Sequence, residues 1–415
     1  MTARLEKFGL PLLLVTTALC AAGCTGQAGR DSSAQAAHNS ATCADKPLAT
    51  FRAELLALAF RTATAIPTDP HIKDRCRAQE GVVVTCLELD QGQRARGYIG
   101  RIDNWRRGAA YADLASYFAL RGCDAQARQC VHAATEVCKI TEDWRRDRIR
   151  IKIAQAHLLL GDEAEASRFE KSVDVENEQG KLAAARIMKC NEKDFDACLR
   201  AMDELLAVGS FDVTTNTLTS YTELFSRVYS DEARRTTIEE RIKASSAKLP
   251  LEVRLNLLLK LAEHALAHDD RVKALALVNE AQAAADGSSW PLRYGIPMMG
   301  RLAAMRGRAG ETAQARTEAD AALAIFDERR EQIVSIDRAG ILRPIAEAYQ
   351  ALGNTERALA VYGRAVEEGT ENPNSRPRAE DLCATCCSMA LNGVEPDAAL
   401  WRRIRQISEG LGQPW

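Results

Sequence analysis

Aromatic residues are scarce in this chain. Phe, Tyr and Trp make up 5% of its 415 residues, although 46% are hydrophobic. Alanine therefore supplies much of the apolar content, and alanine is the strongest helix former and lets helices approach closely. The shortage of aromatic residues argues against a β-sandwich or barrel, whose pleated faces favour aromatic and β-branched side chains. An excess of either charge is also missing: Lys+Arg number 55 and Asp+Glu 57, a net charge of −2. That balance lacks the basic footprint of a nucleic-acid binder. There is no G-x-S-x-G, no Walker A motif, no H-E-x-x-H and no dinucleotide-binding glycine pattern. Nothing specific therefore points to an enzyme, a cofactor or a metal. Beyond the N-terminus no apolar run reaches the length of a membrane span, and Leu255 to Leu259 is cut by Lys260.

The first residues read as a targeting segment. Arg4 and Lys7 precede an apolar stretch, Leu10 to Ala22, too short to span a bilayer comfortably. Ala21-Ala22-Gly23-Cys24 follows. This resembles the lipobox of bacterial lipoproteins, in which a small residue precedes a Cys that is diacylated and becomes the mature N-terminus. The Leu that family prefers three residues before the Cys is Ala21 here. The resemblance implies a signal peptide over 1–23, lipid attachment at Cys24, and an outer-membrane anchor facing the periplasm. An ordinary cleaved signal or an uncleaved anchor is the alternative. Residues 24–44 are small and polar and read as a flexible tether.

The remainder, 45–415, follows a repeated grammar. In the stretch from Ile341 to Gly369, Ile341, Leu342, Ile345, Ala346, Tyr349 and Leu352 share one helical stripe. Gly353 stops that helix, and Asn354 can cap the next. Ala358, Val361, Tyr362, Ala365 and Val366 make the apolar face of a second, antiparallel helix. Ala346, Tyr349, Gly353, Ala358, Tyr362 and Ala365 resemble the tetratricopeptide repeat in that order. A turn residue five places before a second-helix alanine recurs in Asp90–Ala95, Gly122–Ala127, Gly161–Ala166, Asp269–Ala274, Gly310–Ala315 and Gly393–Ala398. Weaker copies centre on Ala197 and Ala233. Asn104-Trp105-Arg106-Arg107 and Asp143-Trp144-Arg145-Arg146 form a further echo. The expected fold is all-α: a right-handed α-solenoid of about nine antiparallel helix–turn–helix repeats, least regular over 174–243. A helix over Phe51 to Thr64 is expected to cap the array.

Thirteen cysteines are present. Cys190 and Cys198, and Cys123 and Cys130, flank helix–helix turns and suggest hairpin-stapling disulfides. The competing reading makes them small buried apolar residues. Cys383-Ala384-Thr385-Cys386-Cys387 looks like a metal or redox knuckle, but on a helix it stacks Cys383 over Cys386 and Cys387, with no His nearby to complete a zinc site. His264 and His268 have chelating spacing on a helix, although two solvent-facing side chains would also satisfy it.

The tetratricopeptide resemblance implies a scaffold that holds protein or peptide partners on its first helices. Arg343, Glu347 and Gln350 in the clearest repeat, and Arg148 and Gln155 in an earlier one, are the candidate contacts. The alternative function is a cysteine-based redox or metal-binding envelope protein.

Overall fold

A computed structural model describes residues 43–173 and 195–415. The expected lipid site Cys24, Cys190 of the expected Cys190–Cys198 pair, and the expected tether up to residue 42 lie outside these residues. The described chain is all-α, with eighteen α-helices and no strand among the described residues. Helices α2 (Ile72–Glu88), α4 (Arg106–Leu120), α6 (Asp143–Leu159), α9 (Phe211–Arg227), α11 (Leu251–Ala267), α13 (Leu292–Arg308), α15 (Ser335–Ala351) and α17 (Ser375–Asn392) are first helices. Seven of them are backed by a second helix that follows in sequence: α3 (Gly92–Ile99), α5 (Asp124–Lys139), α7 (Glu163–Glu170), α10 (Glu232–Ser246), α12 (Arg271–Asp286), α14 (Thr312–Arg329) and α16 (Thr355–Thr370). Helix α8 (Phe195–Val208) packs on α9.

The turns obey one backbone rule. Gly122, Gly161, Gly310, Gly353 and Gly393 all have positive φ, as do Asp90 and Asp269 in the same place. A left-handed residue ends the first helix and reverses the chain at little cost for Gly or Asp. Five residues on, Ala95, Ala127, Ala166, Ala274, Ala315 and Ala358 are each fully buried where the two helices touch. Close approach is also built between neighbouring first helices. A Cβ on Gly300 of α13 would come within 2.8 Å of the Pro344 backbone of α15.

Three of the expected copies differ. Ala197, Ala233 and Ala398 are exposed. In α8 the buried apolar positions are Phe195, Leu199 and Met202, and in α10 they are Ile238 and Ile242. Those larger side chains set the amphipathic face there. The third difference is architectural. Helix α18 (Ala398–Glu409), which follows α17, is not its main partner. That place belongs to α1 (Thr50–Ala65), from the other end of the chain, which lies along α17 and packs on α2. So α1 does not cap an open array. It is the second helix of the last hairpin, and the array closes on itself.

Leu55, Leu56, Leu58, Ala59, Phe60 and Ala63 of α1 are buried in one core that also holds Leu382, Cys386 and Met389 of α17. Thr62 and Ser408 hydroxyls bond at 2.8 Å, and the pairs Arg376–Asp74 (3.9 Å) and Arg405–Glu54 (3.4 Å) cross the same seam. The first is partly buried at a long 3.9 Å and the second is exposed; such pairs contribute little, so the seam rests on apolar burial.

A strap ahead of α1 is part of the folded body. Cys43, assigned to the tether by sequence, is disulfide-bonded to Cys123 across 80 residues, with a Cα–Cα distance of 5.7 Å. The Asp45 carboxylate accepts from the backbone N–H groups of Gln93 (2.6 Å) and Arg94 (3.1 Å), capping α3. This corrects the Cys123–Cys130 pairing. Cys130 is a buried free thiol. It lies seven helical residues past Cys123, a rise of about 10 Å, beyond the reach of about 7 Å between bridged Cα atoms. Cys198 is disulfide-bonded.

Closure makes the two chain ends one cooperative unit. Leu55→Ala or Leu56→Ala is expected to destabilise the protein by about 2–5 kcal/mol, measured by denaturant unfolding. Hydrogen exchange should then quicken in α17 as well as in α1. Unchanged protection in α17 would refute closure by α1.

Candidate functional site

The first helices face a common interior. Glu88 ends α2, whereas Lys260 and Glu263 lie on α11, which follows it by several hairpins, yet their charges act on Glu88 directly. Arg301 of α13 feels Glu263 and Glu252 of α11 and Glu347 of α15. Cys387 of α17 feels Glu88 and Arg343. Only an enclosed inner wall brings side chains of such distant hairpins together.

The wall is wet but confined. Arg227 and Arg301 are solvent-exposed, yet lost hydration lowers the pKa of both guanidinium groups. A side chain that touches water and is still partly desolvated sits in a concavity. Burial also raises the carboxyl pKa of Glu88, with Glu263 adding to the effect and Lys260 opposing it. Burial raises Glu347 likewise, against the Ser388 hydroxyl, Arg343 and Arg301.

Neighbouring first helices are stitched along this wall. Lys152 of α6 bonds Asp113 of α4 at 2.6 Å, and Arg301 donates to the Asn256 side chain of α11 at 2.6 Å. Arg343 pairs with Asp381 of α17 at 3.4 Å. Ser388 donates to Glu347 at 2.5 Å and shares a 2.7 Å bond with the Tyr362 hydroxyl.

The sequence-derived contacts fall on equivalent stripes. Arg343, Glu347 and Gln350 run along α15, and Arg148 and Gln155 flank Lys152 on α6; all five are half-buried. Gln350 keeps a buried side-chain carbonyl with no hydrogen-bond donor. Arg148 lies over the Trp105 ring at 5.9 Å from its centroid. The Trp-Arg-Arg echo is thereby explained: Trp105 and Trp144 meet edge to face at 5.3 Å between adjacent hairpins, and Arg106 pairs with buried Glu80. Sequence reasoning missed Glu88, Lys260 and Arg301. Their helical stripe was available, but which distant helix they would face was not.

The other candidates resolve separately. His264 is buried 3.5 Å from Glu223, whereas His268 stacks on Tyr229 with ring centroids 4.3 Å apart, so the two do not converge. Among the described residues no three His, Cys, Asp or Glu side chains are placed to hold a metal ion. On the outer layer, a groove of about 380 Å³ runs between α5 and α7. Its Arg128 and His157 both turn to Asp162, at 2.5 and 3.4 Å.

No protein-family model matches the chain. No curated protein matches it either. Sixteen chains of solved structures do. One is described as a "Circular tandem repeat protein with novel repeat topology and enhanced subunit contact surfaces". It is 14% identical, covers 86% of this chain and 94% of its own, and superposes with a TM-score of 0.25.

The raised carboxyl groups carry a signed pH dependence. A group whose pKa is higher folded than unfolded binds protons better when folded. Its stabilising contribution is complete below the unfolded value, about 4.3 for Glu, and is lost as pH rises through the folded one. Glu347→Gln keeps the bond to Ser388 and removes the charge. Unfolding followed from pH 4 to 7.5 should show a smaller loss of stability with rising pH than in the wild type. An unaltered slope would show that Glu347 is not held in a confined wall.

Proposed function

We propose that the protein is a closed helical-repeat scaffold, tethered to a membrane of the cell envelope, which holds a protein or peptide partner on its inner wall and catalyses no reaction. The carrying observation is the convergence of first-helix polar side chains on one interior while the second helices cover the backs of the hairpins. Arg343 and Glu347 act on Cys387 and Arg301 of that wall; in this reading Gln350, and Arg148 and Gln155 on α6, half-buried on the corresponding stripes of their helices, extend it. A tetratricopeptide-like grammar supports the same reading.

The tether rests on the lipobox-like residues ending at Cys24. No helix of the described residues is long and apolar enough to cross a membrane; in this reading acyl chains on Cys24 make the attachment. Two or more chains hold a protein where one gives only a marginal grip. With Cys43 bonded to Cys123, the chain enters at the turn between α4 and α5. A lipid anchor at Cys24 would stand nineteen residues before that bridge. It would present that rim to an outer-membrane surface facing the periplasm.

A photo-crosslinking residue placed at Gln350 or Arg148 in native membranes is expected to capture the same partner. One placed at Val272, which is 81% exposed on the outer layer, should not. Capture from Val272 alone, or from no position, overturns inner-wall binding. The mature N-terminal peptide should carry acyl mass on Cys24; an unmodified N-terminus beyond it removes the tether and leaves the wall untouched.

A further inference from the structure

The entry to α6 carries an exposed apolar lip. Ile140, in the loop that leads into the helix, is 78% exposed, and Trp144, at the start of the helix, is 44% exposed. The Trp144 ring meets half-buried Trp105 of the neighbouring first helix edge to face. Arg145 lies over the Trp144 ring, 5.7 Å from its centroid, and Arg148 lies over Trp105. Guanidinium groups on aromatic faces make one surface both apolar and basic.

The two copies of the Trp-Arg-Arg motif are built differently. In the first, the Asn104 side-chain carbonyl accepts from the Arg106 N–H at 2.9 Å, and Trp105 is half-buried. In the second, no side chain caps α6, and Asp143 is held at a φ of 57°. Asp90 and Asp269 share that left-handed conformation, but each reverses the chain between the helices of a hairpin. Asp143 opens a helix instead. A missing cap, a left-handed residue outside a turn and two exposed apolar side chains all work against stability. Positions that break local rules together mark a site kept for function.

We propose that this lip is the entry to the inner wall, and that it takes a peptide segment of the partner in which one large apolar side chain is followed by acidic ones. The inference rests on the inner-wall reading and names the chemistry of what is held. Continuity with the wall carries it. Arg145, Arg148, Lys152 and Gln155 recur at intervals of three and four, so the lip runs into the α6 stripe. That stripe is basic. Asp147 is buried against Arg150 at 3.0 Å, and Asp113 reaches Lys152 from α4. Glu142 and Asp143 are the exposed acidic residues at the lip itself. The excess is local within a balanced wall, so it acts on contact and not at a distance. An apolar side chain of the segment would seat on Ile140 and Trp144, and its carboxylates would meet Arg145, Arg148 and Lys152.

Two other occupants fit less well. A second copy would set Arg145 and Arg148 against their own counterparts. Cys123, to which the strap is bonded, lies past the other end of the 15-residue α4, about 22 Å away. A lipid-anchored strap would therefore turn the lip away from the membrane surface and toward soluble partners.

The probe is a fluorescein-labelled peptide of one phenylalanine followed by alternating glutamate and serine, titrated into the full chain and followed by anisotropy. Ile140→Ser and Arg145→Glu change side chains outside the core, and unchanged thermal unfolding checks that both variants fold. Arg145→Glu should weaken binding by at least about tenfold, because like charges would meet. Ile140→Ser should weaken it as well, and Val272→Ser on the outer layer should leave it unaltered. Lysine in place of glutamate, or alanine in place of phenylalanine, should abolish binding. Equal binding of the lysine peptide, no binding of the acidic one, or indifference to both lip variants overturns the inference. So does tighter binding to phosphatidylglycerol vesicles that Ile140→Ser abolishes, or a dimer in sedimentation that the same variant dissolves. The crosslinking residue at Gln350 separates the two readings. Capture undiminished in Ile140→Ser removes the lip and leaves the wall, whereas peptide binding without capture from the wall leaves the lip and removes the wall.

Discussion

The structure depends on one packing requirement: a first helix of a hairpin array needs a second helix behind it. Helix α17 has an apolar back and no adequate partner following it in sequence. The chain meets this requirement with α1, more than 300 residues earlier. An open solenoid leaves two terminal faces that must be made polar or capped. Here each end buries the other, and neither face reaches solvent. The core reflects this, because Leu55, Phe60 and Phe118 belong to the same cluster as Tyr349, Leu382 and Ile404. The middle hairpins, from Phe195 to Ala309, hold a core of their own. Burying α1 against α17 pairs residues very distant in sequence, so chain-entropy cost is concentrated at the seam.

What could be read from the sequence was local. The turn-to-alanine offset depends only on a left-handed residue and a small side chain a helical turn and a half later. At Gly122, Gly161, Gly310 and Gly353, and at Asp90 and Asp269, both halves of the rule hold. The offset fails where another side chain is a better anchor, as at Met202 or Ile238. Its failure at Ala398 is more instructive. Gly393 has the expected positive φ, and Asp397 caps α18 through the Leu400 N–H at 2.7 Å. Every local signal for a second helix is in place, yet α1 occupies the position. Local signals specify that a helix forms, and tertiary burial decides where it packs.

The same boundary separates the legible from the illegible parts of the site. That Arg343, Glu347 and Gln350 share a stripe follows from helical spacing. That Glu88 would stand within electrostatic reach of Lys260 does not, because it requires the array to curve and close. The disulfide behaves alike. Cys123 and Cys130 are near in sequence but separated along a helix, while Cys43 is distant in sequence and brought near by the strap that Asp45 pins to α3.

Closure also shapes the chemistry of the interior. Bringing α2, α11, α13, α15 and α17 around one space partly desolvates charges that an open solenoid would leave in water. The wall answers with opposite signs set side by side: Lys152 with Asp113, Arg343 with Asp381, and Arg301 among Glu252, Glu263 and Glu347. Its net field is therefore small, and long-range steering of a strongly charged partner is not what such a wall offers. It offers closely spaced donors and acceptors in a confined, low-dielectric setting, where an unmet hydrogen bond is costly and a well-placed one is correspondingly favourable. A molecule that bridges α2 and α11 would also tie together helices from the two separate cores. By linkage, anything that binds the closed array and not the opened one stabilises the seam, so occupancy of the wall and the packing of α1 on α17 are thermodynamically one equilibrium.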